Sequence, residues 1–211
     1  WAWVKADSDG YVGYVPDYTV GPVRRSPTHI VTAPRTFIYV GPDLRFPTVQ
    51  AISMGSRITV VDERETRGTR YFLLDDGHAV IANHCASVNA PMADDYVAVA
   101  GRFIETPYLW GGRSGFGIDC SGLVQLAMLM TGRQAPRDTD MQASGLGTPI
   151  ACEDLRRGDL VFWKGHVAIM EDDKTLLHAN GHTMNVSHEG LDEAIDRIGW
   201  LYGQPTGYRR P

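Results

Sequence analysis

Cysteine is scarce in this chain, with three in 211 residues, at Cys85, Cys120 and Cys152. An odd and widely spaced set is not a disulfide framework, and without a C-x-x-C pair it does not suggest zinc. A reducing compartment is the better fit. Positive charge is also short: the net charge of −5 argues against nucleic acid or an anionic membrane as an electrostatic partner. No apolar run approaches the roughly 18 residues of a membrane-spanning helix. The longest, Leu123 to Met130, has the length of a buried helix. The start lacks a basic-then-apolar leader. Because the chain opens on Trp1 rather than Met, an upstream piece is expected to be missing. The rest is ordinary globular composition, 43% hydrophobic and 21% charged, enough for one large domain or a medium and a small one.

Residues 1–90 read as β structure. "DGYVGYV", "HIVTAP", "TFIYVGP", "RITVVDE", "YFLLDDG" and "HAVIANHCASV" are short runs rich in Val, Ile, Tyr and Phe, most of them punctuated by Gly, Pro or Asp. Asp76-Gly77 marks a tight hairpin, and strands so short and close suggest a small barrel. From Ala93 the pattern changes. "ADDYVAVAGRFIETP" reads as a helix opened by acids and stopped by Pro107. A glycine-rich turn then leads into a helix at Cys120, apolar on nearly every face, with Gly132 as its C-cap. "PRDTDMQ" reads as a second short helix. "GDLVFW", "HVAIM", "TLLHA", "TMNVS" and "GWLYG" read as strands. Helices before strands make 93–211 an α+β domain.

Cys120 sits in "GFGIDCSGLVQ", at the first turn of its helix, where free N–H groups and the helix dipole favour a thiolate. It is therefore expected to be the most reactive of the three thiols. Cys85, after an apolar strand, and Cys152, before an acidic loop, are expected to be inert. A nucleophile also needs a base. Of seven histidines, His166 and His178 lie on apolar strands of the same domain, and side chains alternate faces along a strand. With residue 170 opposite residue 174, the loop is Glu171-Asp172-Asp173 and His166 lies across from His178. A two-residue loop would put them on opposite faces. In the first register, Cys120, His166 and His178 supply thiol, base and orienting group. Zinc held by His178, His182 and His188 is disfavoured because Gly181 breaks the helix that such spacing requires. His182 and His188 read as solvated, Arg137-Asp138 as a surface ion pair, and Trp110 and Trp163 as core. Asp119 suits an N-cap.

The segments "PYLWGGRSGFGIDCSGLVQ", "APRDTDMQ", "RRGDLVFWKGHVAIM" and "LLHANG" resemble, in order and spacing, the motifs of the NlpC/P-sixty cell-wall cysteine peptidases, which are papain-like. The resemblance covers about 94–200. It implies Cys120 as nucleophile, His166 as base, His178 as the third polar residue and Tyr108 as an active-site tyrosine. The front half resembles bacterial SH3-like (SH3b) modules, with 27–90 one full module and 1–23 the tail of another. The subgroup that combines the two looks like the γ-D-glutamyl-L-diamino acid endopeptidases. These cut murein stem peptides that carry a free N-terminal L-alanine. Tyr108, Asp119, Ser121 and Thr139 match the positions that bind the alanine amine and the D-glutamate carboxylate. Thr139 keeps the hydroxyl where subgroup members often have Ser. Tyr11 is a candidate wall of the cleft.

The expected protein is therefore a monomeric, cytoplasmic hydrolase of murein peptides, with no cofactor and no metal. A periplasmic or wall-associated location is the alternative compartment. A non-catalytic wall-binding protein and an acyltransferase on the same Cys-His-His set are the alternative functions. The residues do not separate meso-diaminopimelate from L-lysine in the substrate.

Overall fold

The computed structural model describes residues 1–22, 25–90 and 93–211. The architecture is α+β, in two compact units, Trp1–Pro91 and Met92–Pro211. The end of the short first segment, expected at residue 23, lies outside the described residues.

Among its described residues, the regular elements of the first unit are strands and two short 3-10 turns. β1 (Ala2–Lys5) and β2 (Val12–Val15) form a hairpin. Eight strands follow: β3 (His29–Val31), β4 (Arg35–Tyr39), β5 (Thr48–Ser53), β6 (Arg57–Ile58), β7 (Val60–Thr66), β8 (Thr69–Leu74), β9 (Ala79–Ile81) and β10 (Cys85–Ser87). They build two sheets, ordered β10-β3-β6 and β5-β4-β9-β8-β7. The run read as one strand, "RITVVDE", divides at Thr59 between the two sheets. Turn chemistry sets the hairpins. Arg67 and Gly68, both at positive φ (54° and 76°), join β7 to β8 as a two-residue turn. Gly77, at φ 88°, closes the turn expected at Asp76-Gly77. Ile58, Leu74 and Val80 form the buried centre, with Ile38, Ile52, Val60, Phe72 and Cys85 around them.

In the second unit α1 is short, Tyr96–Gly101, and begins where the Asp95 carboxylate accepts the N–H groups of Val97 and Ala98. It ends well before Pro107. Turns follow, and Glu105 at φ 65° takes the chain out of helical geometry. The glycine-rich segment folds into a small hairpin, β11 (Arg113–Ser114) with β12 (Gly117–Ile118). Next come α2 (Cys120–Leu129), α3 (Thr139–Gly145) and β13 (Thr148–Ile150). Gly132 closes α2 at φ 72°, and the N–H of Arg133 reaches back to the carbonyl of Met128. The remaining elements are β14 (Leu160–Trp163), β15 (His166–Met170), β16 (Thr175–Asn180), β17 (Asn185–Gly190), α4 (Leu191–Tyr202) and β18 (Gly207–Arg210).

The six long-range strands form one antiparallel sheet, ordered β13-β18-β14-β15-β16-β17. Alternation gives it two buried faces. Val161, Trp163, Ala168, Met170 and Leu176 face Leu191, Ala194 and Ile198 of α4. Leu160, Phe162, Val167, Ile169, Leu177 and Ala179, all at most 1% exposed, line the other face, and α2 lies along β15 and β16. Two of the expected strands are corrected. "GWLYG" is the last turn of α4, because Leu191, Ala194, Ile195 and Ile198 recur at helical spacing and Gly203 (φ 94°) ends the helix. "TMNVS" is strand only from Asn185, since Met184 turns at φ 57°. Among the described residues no helix is long and apolar enough to cross a membrane.

Candidate active site

The helix at Cys120 starts where the sequence places it. Asp119 is its N-cap: Oδ1 accepts the N–H of Gly122 at 2.7 Å. The same carboxylate holds the preceding turn through the N–H of Gly111 on Oδ2, at 2.9 Å. Gly122 has no alternative here, since a Cβ would stand 2.5 Å from the carbonyl oxygen of Gly112. Arg137, expected at the surface beside Asp138, instead grips Asp119, with Nη1 to Oδ1 at 3.0 Å and Nη2 to Oδ2 at 2.7 Å. Both side chains are nearly buried, at 11% and 12% exposure. Ser121 Oγ joins them, donating to Asp119 Oδ1 at 3.3 Å and accepting from Arg137 Nη1 at 3.0 Å. The resemblance implies one site for Thr139 and Asp119, but it does not give the partner of Arg137.

Cys120 is buried. Its Sγ lies 3.7 Å from Oγ1 of Thr139, the first residue of α3. It also sits by the backbone N–H of Val167, the residue after His166. Burial pushes the thiol up, more than the Val167 N–H, the Thr139 hydroxyl and the helix-start N–H of Ser121 pull it down, and the charge of Asp119 adds to the rise. The helix start was expected to lower the thiol, and here desolvation outweighs it. Tyr108, half-buried, is pushed up to about 12 by burial, then by the neighbouring Cys120 and Asp119.

The two histidines share a sheet face, with a different loop from the one expected. Residue 170 pairs with 176 rather than 174, and Glu171 N–H bonds to the Thr175 carbonyl. The loop is thus Asp172-Asp173-Lys174. Asp172 Oδ1 explains the shift, accepting the N–H groups of Lys174 and Thr175 at 2.8 and 2.7 Å. His178 lies opposite the 168 position, diagonal to His166, and His166 Nε2 stands 2.9 Å from His178 Nδ1. Trp163, across from His166 on β14, tilts against its ring at 5.8 Å between centroids. His166 is pushed down to about 3 by burial, then by His178 and Arg197, with Glu189 opposing. His178 is also lowered, chiefly by burial. Both shifts favour the uncharged thiol and imidazole, and among the described residues the thiol's hydrogen-bond neighbours are Thr139 and backbone.

Sequence reasoning missed the groups behind His178. Glu189 Oε2 lies 3.1 Å from His178 Nε2, and Arg197 of α4 holds both Glu189 oxygens, at 2.7 and 2.6 Å. Burial alone would raise the Glu189 carboxyl, but Arg197 and His178 together bring it to about 2. Trp163 is core, as expected, whereas Trp110 is 84% exposed. Cys85 is pushed up to about 12 by burial, in keeping with an inert thiol, but Cys152 is exposed. His188 is half exposed and paired with Glu171.

Comparison with known proteins matches most of the second unit to a family. Residues 105–196 match the model of the NlpC/P60 family. The chain is similar to a Gamma-D-glutamyl-L-lysine dipeptidyl-peptidase of Bacillus cereus, 27% identical over 82% of this chain and 57% of that protein. It is similar to Dipeptidyl-peptidase 6 of Lysinibacillus sphaericus, 37% identical over 55% of this chain and 42% of that protein. It is also similar to the probable endopeptidase NlpC of Escherichia coli, 33% identical over 53% of this chain and 78% of that protein. A solved structure of an NlpC/P60 family protein from Bacillus cereus superposes with a TM-score of 0.68 at 28% identity, over 87% of this chain and 63% of that one. The chain spans about half the length of the first two relatives.

Proposed function

The chain belongs to the NlpC/P60 family of cysteine peptidases, and from that premise we propose that it hydrolyses the γ-D-glutamyl–diamino acid bond of short murein peptides with a free N-terminal L-alanine. The observation that carries this reading is the contact, at 2.9 Å, between the half-buried His166 and the buried His178, at the sheet end where the Cys120 thiol meets the Val167 backbone. The similarity to a Gamma-D-glutamyl-L-lysine dipeptidyl-peptidase, extending over 82% of this chain, supports the choice of bond.

In this mechanism His166 takes the Cys120 proton as the sulfur attacks the γ-carbonyl. This requires the ring and thiol to close to hydrogen-bond distance, which unliganded sites often leave long. The backbone N–H of Cys120, at the helix start, and one neighbour stabilise the oxyanion. The His166 imidazolium then gives its proton to the leaving amine, leaving a thioester. Water deprotonated by His166 cleaves the thioester and releases L-Ala-γ-D-Glu. Tyr108, Asp119, Ser121 and Thr139 are assigned to the alanine amine and the glutamate carboxylate. Residues 27–90 are assigned as an SH3b module, and 1–23 as part of another. The test is incubation of L-Ala-γ-D-Glu-L-Lys and its meso-diaminopimelate counterpart with the full chain and with Cys120→Ala. Release of L-Ala-γ-D-Glu by the first alone is expected. A variant as active as the parent would overturn the assignment.

A further inference from the structure

The proton on an imidazole sits on one of two nitrogens, and a chain of two imidazoles has two internally consistent arrangements. In one, His178 carries its proton on Nε2, its Nδ1 accepts from His166 Nε2–H, and His166 Nδ1 is left as a lone pair. In the other every proton moves to the opposite nitrogen, His166 Nδ1 is protonated, and the ring cannot take a thiol proton there. The arrangement is decided at the far end, by whatever faces His178 Nε2.

That nitrogen is fully buried and makes no well-aligned hydrogen bond among the described residues. The Glu189 carboxylate stands 3.1 Å from it, close enough for an ion pair but not aligned for a hydrogen bond. We infer that Glu189, held in place by Arg197, is a positioning residue that fixes the His178 proton on Nε2 and thereby leaves His166 Nδ1 free as the base. A carboxylate accepts and cannot donate, so it tolerates only the first arrangement. Its placement follows from the fold. Glu189 is two residues along β17 from Ser187, the cross-strand partner of His178, and so shares its face. Arg197, two turns into α4, clamps both carboxylate oxygens. The guanidinium has a second effect. A lone carboxylate would draw a proton onto His178 permanently, and Arg197 offsets it, in keeping with a His178 that stays below its ordinary value beside an acid. When His166 becomes an imidazolium, the Glu189 carboxylate is already oriented toward the charge.

The inference rests on the assignment of Cys120 and His166 as nucleophile and base, and its test separates the two. Removing Glu189 alone would strand Arg197, so the main variant is Glu189→Leu with Arg197→Met, compared with Glu189→Gln, whose amide oxygen still accepts. The ring nitrogens of the 15N-histidine-labelled chain report tautomers without any substrate. The expected result is a His178 Nε2–H tautomer in the parent and in Glu189→Gln, lost in the double variant. On the tripeptide, kcat should fall on the order of a hundredfold in the double variant, with KM unchanged and Glu189→Gln in between. If the parent holds the expected tautomer and the double variant loses it, yet no murein peptide is cut, the tautomer assignment stands and the proposed substrate falls. If the peptide is cut by the double variant at the parental rate, or if His178 carries its proton on Nδ1 in the parent, the inference is overturned and the proposed function survives.

Discussion

Arg137 and Asp119 form a two-pronged ion pair inside the protein, at 3.0 and 2.7 Å, one residue before the candidate nucleophile. The carboxylate also receives the N–H groups of Gly111 and Gly122 and the Ser121 hydroxyl. The glycine turn, the helix start and the "APRDTDMQ" segment are thus tied through one side chain. Removing either partner leaves a nearly buried charge without its counterion, which costs on the order of 3–5 kcal/mol. Urea unfolding should show a loss of that order for Asp119→Ala and for Arg137→Met. The double variant should lose less than the sum of the two, because the orphaned charge is gone. Additive losses would mean that the two groups do not stabilise one another.

The three thiols should not react in the order that helix position alone suggests. Cys120 is buried and burial holds it protonated, whereas Cys152 is exposed. Iodoacetamide needs access and thiolate. Peptide mapping after brief alkylation of the unliganded protein near neutral pH should find Cys152 modified before Cys120, with Cys85 last. Earlier labelling of Cys120 would mean that the resting site already holds a thiolate–imidazolium pair.

Stability should fall with acid before any carboxylate titrates. His166 and His178 are both held below the ordinary imidazole value, so the unfolded chain binds protons that the folded one refuses. Their contribution is complete above the unfolded value of about 6.5 and is lost as pH falls toward the folded one, about 3 for His166. Glu189, lowered to about 2, loses its contribution only below the ordinary carboxylate range. His29 and His84 are also lowered by burial, so the slope must be isolated by substitution. Between about pH 6.5 and about pH 4.5, the urea midpoint of His178→Asn should fall less steeply than that of the parent. Parallel curves would show that His178 is not buried neutral.

Sequence patterning reached the helix that begins at Cys120 and most strands, and it left open the parity that puts His166 and His178 on one face. It failed where a side chain, rather than periodicity, decides the geometry. The hairpin offset depends on Asp172 capping its own turn, an interaction that a hydrophobic pattern does not contain. α4 was visible in the spacing of Leu191, Ala194, Ile195 and Ile198, yet the aromatic run Trp200-Leu201-Tyr202 resembles a strand when read alone. Missing that helix hid Arg197 and with it the meaning of Glu189. Arg137 was hidden for another reason: an arginine between a proline and two aspartates looks solvated until the fold brings a third carboxylate against it.

The preference for a free amine is the most exposed consequence of assigning Asp119 to substrate. Its two oxygens already accept three N–H contacts besides Ser121 Oγ and Gly111 N–H, more than the roughly four lone-pair sites of a carboxylate. An alanine ammonium must therefore displace the longest of these contacts, Ser121 Oγ at 3.3 Å. A charged amine can do so, and an acetyl group cannot. Because Arg137 already pairs the carboxylate, acetylation strands no charge and loses one charge-assisted hydrogen bond, worth about 1.5–3 kcal/mol, so N-acetylated Ala-γ-D-Glu-diaminopimelate should have a kcat/KM roughly ten- to a hundredfold below that of the free tripeptide, each tenfold being about 1.4 kcal/mol. Asp119→Asn should shrink that ratio, mainly by slowing the free peptide. This variant also weakens the Arg137 pair and lowers the folded fraction. The ratio of the two peptides on one enzyme cancels that loss, because both compete for the same active molecules. Equal rates on both peptides with the parent enzyme would remove the amine from the role of Asp119. The carboxylate would then be a cap and an Arg137 partner, and the substrate would be a stem peptide still joined to the wall.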